Sequence, residues 1–367
     1  MVKQPTKNVN EKMYFLSEDK KSFIFDKYDS KVIVSPNFHH IFDKNTGTAI
    51  TYGATKDENP EYCEFGPLIL DFEITTICSG PRGKLCNFCY KSNNPFGKYT
   101  SFDIFKTVFD KLPKTVTQIA FGVDASCTSN PDIWNIFKYT KENGVVPNVT
   151  VADITDDTAD KLAEYCGAVA VSRYDDKNVC YDSIKLLTDR GMDQVNMHMC
   201  IHNDNFEQVK ETLQDIIFKK DDRLEKLNAI VFLSLKQKGR GKNFTLLSQD
   251  KFTEIVDTCL SYGVRFGFDS CSAIKFMESI KGHENEKEMI EMAEPCESTK
   301  FSAYINVDGV FFPCSFVEGT GEWEEGIDVV SCVDFLDDIW FDEKTIRFRN
   351  KCNRCLENKI PCQVFNI

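Results

Sequence analysis

The sequence predicts an α/β fold: a partial (β/α)6 barrel of TIM type, preceded by a β-rich segment and followed by a small C-terminal extension of β-hairpin and helix. Three observations predict it. From Leu68 onward, short apolar runs alternate with amphipathic stretches, the pattern of parallel strands joined by crossover helices. The 367 residues suit one such barrel with an appendage. Near the C-terminus the alternation stops, and a second cysteine-bearing region begins around an Asp-Gly turn. The expected division is 1–67, 68–280 and 281–367.

The opening segment holds alternating runs at Ser22–Asp26 and Lys31–Ser35 and a turn signal at Phe42–Thr48, which predict two or three short strands. The barrel strands are expected at Leu68–Ile74, Thr117–Phe121, Val149–Ala152, Ala168–Val171, Gln194–Ile201 and Ala229–Leu235, with Val264–Phe268 as a shorter coda. Between them, helices are expected at Phe102–Lys111, Asp132–Glu142, Thr158–Tyr165, Val179–Asp189, Asn205–Phe218 and Ser248–Ser261. Lys281–Glu294 reads as a charged helix. Ser302–Val307, Asp308-Gly309 and Val310–Cys314 then give the strongest hairpin signal in the chain.

A net charge of -13 argues against a general nucleic-acid or membrane-surface binder, because no basic excess exists to neutralise phosphates. No stretch has the apolar length needed to span a bilayer, and the N-terminus lacks an apolar leader, so a cytoplasmic protein is expected. Sixteen cysteines in such a chain, gathered at two places, point to reduced thiols and metal rather than to a disulfide framework. Cys127, Cys166, Cys180, Cys200 and Cys259 fall in apolar or helical surroundings and read as core.

The first gathering is Cys78-x7-Cys86-x2-Cys89, a loop after the first barrel strand. Three thiolates can hold three corners of a [4Fe-4S] cluster and leave the fourth iron open to a ligand. A structural zinc knuckle is the other reading, since Cys-x2-Cys also suits tetrahedral zinc. The second gathering comprises Cys296 and Cys314, linked through the hairpin, and Cys352-x2-Cys355-x6-Cys362. Asn196 and His198 alternate inward on Val195–Met199 and are expected to line the cavity.

The first loop resembles the signature of the radical S-adenosylmethionine (radical SAM) enzymes, Cys-x3-Cys-x2-Cys with an aromatic before the last cysteine, here Phe88. The first gap is longer, and Gly80, Pro81 and Gly83 within Ser79–Leu85 suggest an extra turn. The resemblance implies that SAM chelates the open iron and is cleaved by one electron to methionine and a 5′-deoxyadenosyl radical. It further implies SAM-binding roles for Gly122, Asp124 and Ser126 at a degenerate Gly-Gly-Glu strand end, for Ser172 and Arg173, for the cavity residue Asn196, and for Arg240 in Gly239-Arg240-Gly241. The second cysteine region resembles the SPASM or shorter twitch extension. That implies an auxiliary [4Fe-4S] cluster drawing on Cys296, Cys314, Cys352, Cys355 and Cys362, with spacing leaving open which of the last three take part. Implied partners are a peptide or small-molecule substrate and an external one-electron donor such as flavodoxin or ferredoxin. Peptide modification is the first expectation for the reaction; dehydrogenation of a small alcohol or sugar and nucleotide modification are the others. A non-enzymatic zinc-binding protein is the rival of another class.

Overall fold

The computed structural model describes residues 11–294, 296–357 and 362, with 353–357 as backbone only. The opening segment forms five antiparallel strands in sequence order, β1 (Lys12–Phe15), β2 (Phe23–Asp26), β3 (Ser30–Ser35), β4 (Phe38–Asp43) and β5 (Ala49–Tyr52), instead of two or three. The two histidines and an Asp in β4 hid its period from the sequence. The turn between β4 and β5 is fixed locally, by Asn45 and Thr46 backbone N–H groups donating to Asp43 at 2.9 Å. Lys31 faces inward on β3 and donates to the Val116 carbonyl at 2.6 Å and the Lys114 carbonyl at 3.2 Å, which docks this sheet on the approach to the second barrel strand.

The barrel follows the predicted alternation closely. Its strands are β6 (Ile69–Glu73), β7 (Gln118–Gly122), β8 (Val146–Val151), β9 (Ala168–Ser172), β10 (Val195–Ile201), β11 (Ala229–Ser234) and the short β12 (Phe266–Phe268), all parallel neighbours in that order. The covering helices are α1 (Phe102–Lys111), α2 (Ile133–Glu142), α3 (Asp156–Tyr165), α4 (Lys177–Asp189), α5 (Phe206–Ile217) and α6 (Gln249–Tyr262), with α7 (Ala273–Ser279) after β12. Ser101, Thr155 and Ser248 accept from backbone N–H groups of the first turns of α1, α3 and α6, satisfying donors a bare helix start leaves open. Strand β10 shows how the layers separate. Val195, Met197, Met199 and Ile201 are buried towards the helices, while Asn196, His198 and Cys200 alternate onto the less buried inner face.

The expected helix at Lys281–Glu294 is only α8 (Glu286–Glu291), because Gly282 adopts a left-handed φ of 78° and breaks the first turn. The hairpin forms as expected from β13 (Ser302–Ile305) and β14 (Val310–Phe312), and β15 (Ile327–Asp328) adds to it. Strand β13 lies parallel to β6, so the extension continues the barrel's own sheet to ten strands and leaves it open, with β12 and β15 at the edges. Helix α9 (Glu343–Glu357) carries Cys352 and Cys355.

Candidate functional site

The loop after β6 brings Cys78, Cys86 and Cys89 together at the C-terminal end of the parallel strands, where barrel chemistry gathers. All three are partly accessible thiols. Burial pushes the Cys86 thiol up to about 12, and the charges of the neighbouring Cys89 and Cys78 add to the rise. Backbone bonds set the loop: Cys78 N–H donates to the Asn94 carbonyl at 2.9 Å and Ser92 N–H to that of Cys89 at 3.2 Å.

Arg240 is the loop's main external support. Its Nε donates to the Cys86 carbonyl at 2.7 Å, its Nη1 to the Asn93 carbonyl at 2.9 Å and its backbone N–H to the Cys89 carbonyl at 3.0 Å. Gly239 and Gly241 permit this approach: a Cβ on Gly239 would stand 2.3 Å from the Tyr90 carbonyl oxygen, and one on Gly241 3.0 Å from that of Phe88. Phe88 packs in an aromatic group with Tyr174, His202 and Phe244, at centroid distances of 5.8, 5.6 and 6.0 Å.

The other residues singled out from the sequence fall in different places. Gly122 ends β7, and its carbonyl accepts from Ile74 N–H at 3.0 Å. The buried Asp124 carboxylate accepts from the backbone N–H groups of Ser126, Thr128 and Ser129 and from the hydroxyls of Ser126 and Ser129 at 2.6 to 3.1 Å. Those five bonds knot the loop after β7, and Ser126 is part of the knot. Ser172 ends β9 and lines a cleft of about 240 Å3 that also borders Cys86 and Phe88. Arg173 is 3% exposed, and its Nε and Nη1 have no hydrogen-bond partner, an uncommon state for a buried cation. Asn196, the second residue of β10, accepts from Asn228 Nδ2 at 2.9 Å and lies on the inner face towards the end of the strands opposite the cysteine loop. His198 lies one layer higher, 3.5 Å from the Thr150 hydroxyl, and burial lowers its pKa to about 4.

Sequence reasoning missed Tyr174. Its ring lies 5.8 Å from that of Phe88 on the cysteine loop, burial raises its hydroxyl pKa with the charges of Cys86, Cys89 and Cys78 adding to the rise, and it shares a hydrogen bond with Ser172. Its place two residues past the end of β9 was the available signal.

The second gathering also converges in part. Cys352, 4% exposed on α9, forms a hydrogen bond with Cys296 that holds the Cys296 thiol below its ordinary range, at about 7. Cys314 lies near Cys296 and Cys362, whose charges both act on it. The Ser298 hydroxyl donates to the Pro313 carbonyl at 2.6 Å and fixes the two ends of the hairpin region side by side. Cys271, after β12, joins the group, since Cys296 and Cys362 act on it as well. The Cys355 side chain lies outside the described residues. Cys332 is buried elsewhere, its carbonyl accepting from Lys111 Nζ at 2.7 Å.

The two cysteine sites touch. Tyr90, next to Cys89, donates to the Ser315 hydroxyl at 3.0 Å and packs on Phe316 at 4.6 Å, both just past Cys314. Lys91 bonds to Tyr304 Oη at 2.7 Å, to Glu73 at 3.1 Å and to Glu318, joining the loop, the first barrel strand and the extension in one network. Lys236, at the end of β11, pairs with Asp269 and lies 4.8 Å from the Phe316 ring.

This barrel, with three cysteines on the loop after its first strand and a hairpin extending the same sheet, has the fold of the radical SAM enzymes. Among solved structures it is similar to Streptococcus suis SuiB bound to precursor peptide SuiA, with TM-score 0.61 and 17% identity over 78% of this chain and 67% of that one. It is also similar to SuiB bound to S-adenosylmethionine, with TM-score 0.55 and 16% identity over 76% and 64% of the two chains. A third is native anSMEcpe with bound AdoMet and Cp18Cys peptide, with TM-score 0.55 and 13% identity over 80% and 86%. The chain thus spans about two thirds of SuiB's length. No protein-family model and no curated protein matches the sequence.

Proposed function

We propose that this chain is a radical SAM enzyme that modifies a peptide or protein. The observation that carries the proposal is the set of three thiols on one braced loop at the C-terminal mouth of a barrel with this fold. Cys78, Cys86 and Cys89 would hold a [4Fe-4S] cluster with one open iron. The donor set fits: three thiols share one loop, and the charges of Cys78 and Cys89 act on Cys86. Arg173, which follows Ser172 at the end of β9, is buried with two donors unspent and acts on Cys180 and Tyr181 of α4; unspent donors of this kind suit an anionic group.

When bound, the cluster and SAM supply the one-electron cleavage that yields a 5′-deoxyadenosyl radical able to abstract a substrate hydrogen. The chain's own work is positional. Arg240 fixes the loop from behind, Phe88 and Tyr174 cover it, and Ser172 offers a hydroxyl in the adjoining cleft. Cys296, Cys314, Cys352 and Cys362 would supply thiols for an auxiliary cluster on the side of the barrel mouth reached through Tyr90 and Phe316. A peptide substrate is favoured because the solved structures of SuiB and anSMEcpe include ones with bound peptides. A one-electron donor such as flavodoxin or ferredoxin completes the scheme, and a cytoplasmic setting suits it. Among the described residues no helix is long and apolar enough to cross a membrane.

Anaerobically reconstituted protein given reductant and SAM should release 5′-deoxyadenosine. The Cys78→Ala/Cys86→Ala/Cys89→Ala variant should release none. Equal release by the two proteins would defeat the proposal.

A further inference from the structure

We infer that the long gap between Cys78 and Cys86 is a charge-latched clasp that forms one wall of the pocket for the nucleoside end of SAM. This rests on the radical SAM reading above and concerns what is particular to this chain, the residues its extended gap adds. The cleft of about 240 Å3 has two walls. One runs through Pro81, Arg82, Lys84 and Leu85 to Phe88; the other consists of Ser172, Tyr174 to Asp176, and the first turn of α4. A three-residue gap would leave most of the first wall unbuilt.

The inserted residues form a turn of definite shape. Gly80 has a left-handed φ of 73°, and a Cβ there would stand 2.0 Å from the Lys84 carbonyl oxygen, so only glycine lets the chain fold back on itself. Pro81–Gly83 makes a single tight helical turn, closed by Lys84 N–H donating to the Pro81 carbonyl at 3.0 Å. The turn then reaches across to the loops after β8 and β9. Arg82 N–H donates to Asp153 Oδ2 at 2.9 Å, Lys84 Nζ lies 3.2 Å from Asp175 Oδ2 and Arg82 Nη1 lies 3.9 Å from Asp176 Oδ2. A basic flap thus meets an acidic rim.

The side chains of both ion pairs are more than half exposed, so each tie is weak and opens readily. That suits a wall that must admit a ligand and then close on it. The nucleoside is the part of SAM the cleft fits. The cleft starts at Cys86, where the iron-bound end belongs, and its mainly apolar lining suits a purine ring, with the Ser172 and Tyr174 hydroxyls available to a ribose. Lys84, Arg82, Asp175 and Asp176 are accordingly positioning residues.

The test uses anaerobically reconstituted full-length protein with SAM as the probe. Reversing both flap charges (Arg82→Glu, Lys84→Glu) should raise Kd about ten-fold, since an exposed pair is worth a factor of roughly two to five. Adding Asp175→Lys to the same protein, with Asp176 kept because its carboxylate caps α4, should recover at least about two-fold of the lost affinity by re-pairing the reversed charge at position 84, and the loss should fall on KM for SAM more than on kcat. Bound SAM should also slow tryptic cleavage after Arg82 and Lys84. Unchanged Kd in the charge-reversed flap, no rescue by the second reversal, or cleavage at the same rate with and without SAM would each overturn the clasp. Wild-type protein that makes 5′-deoxyadenosine while the flap variants bind SAM normally refutes the clasp alone; wild-type protein that makes none refutes the radical SAM reading first.

Discussion

Arg240 shows how one side chain can serve a site without being visible as part of it. Its partners are carbonyls of Cys86 and Asn93, about 150 residues away in the chain, so no local spacing could reveal them. Arg240→Ala should remove the bonds that brace the loop and cost about 1–3 kcal/mol through the unpaired groups left behind. Iron content per chain should fall with it. Arg240→Lys should not restore the iron, because an ammonium cannot reach both carbonyls as the guanidinium fork does. Asp124 teaches the converse. Its place at a strand end suggested a ligand, but its oxygens are occupied by loop donors, a fact of tertiary geometry that sequence position does not encode. His40 carries a pH prediction. It is buried on β4, bonded through Nδ1 to the Thr51 hydroxyl at 2.8 Å, and burial followed by nearby Lys31 lowers its pKa from 6.5 to about 4. The unfolded chain therefore takes up this proton first as pH falls. Stability is complete above pH 6.5 and is lost between there and about pH 4, by on the order of 3 kcal/mol from this group. Urea midpoints at pH 7 and pH 4.5 should differ less in His40→Gln than in the wild type.

Among the elements, the barrel strands and their helices were legible because short apolar runs, with clear buried-and-less-buried alternation in β8, β10 and β11, are separated by helices such as α1 that carry an apolar stripe. Strands β1, β4 and β5 were not, since β1 and β5 are only four residues long, histidines interrupt the period of β4, and pairing with neighbours decides all three. The extension's hairpin was readable from Asp308-Gly309, but its union with the barrel sheet through β6 and β13 was not, because a parallel pairing across some 230 residues leaves no local mark. That joint is held by Lys91 between Glu73, Tyr304 and Glu318, with burial pushing the Glu73 carboxyl up against the pull of Lys91. Lys91→Met leaves two carboxylates with no cation between them and should destabilise the protein by about 3–5 kcal/mol. Tyr304→Phe should cost less, about 1–3 kcal/mol. Hydrogen exchange would locate both effects, with protection lost first in β13 and β14.

At the scale of the whole molecule, one open sheet carries two cysteine sites whose loops meet at Tyr90, Ser315 and Phe316. The three-cysteine loop and the gathering near the C-terminus were both apparent from spacing. Their adjacency, and the presence of Cys271 beside the second, emerge only from the fold. The central claim is that the first loop holds a cluster with one iron open to SAM, and the most direct measurement is electron paramagnetic resonance of the anaerobically reconstituted, reduced protein before and after SAM is added. The account predicts a [4Fe-4S]+ signal that changes on adding SAM and keeps only its SAM-insensitive part in the Cys78→Ala/Cys86→Ala/Cys89→Ala variant. A protein that binds zinc in place of iron, or a cluster signal indifferent to SAM, would contradict it.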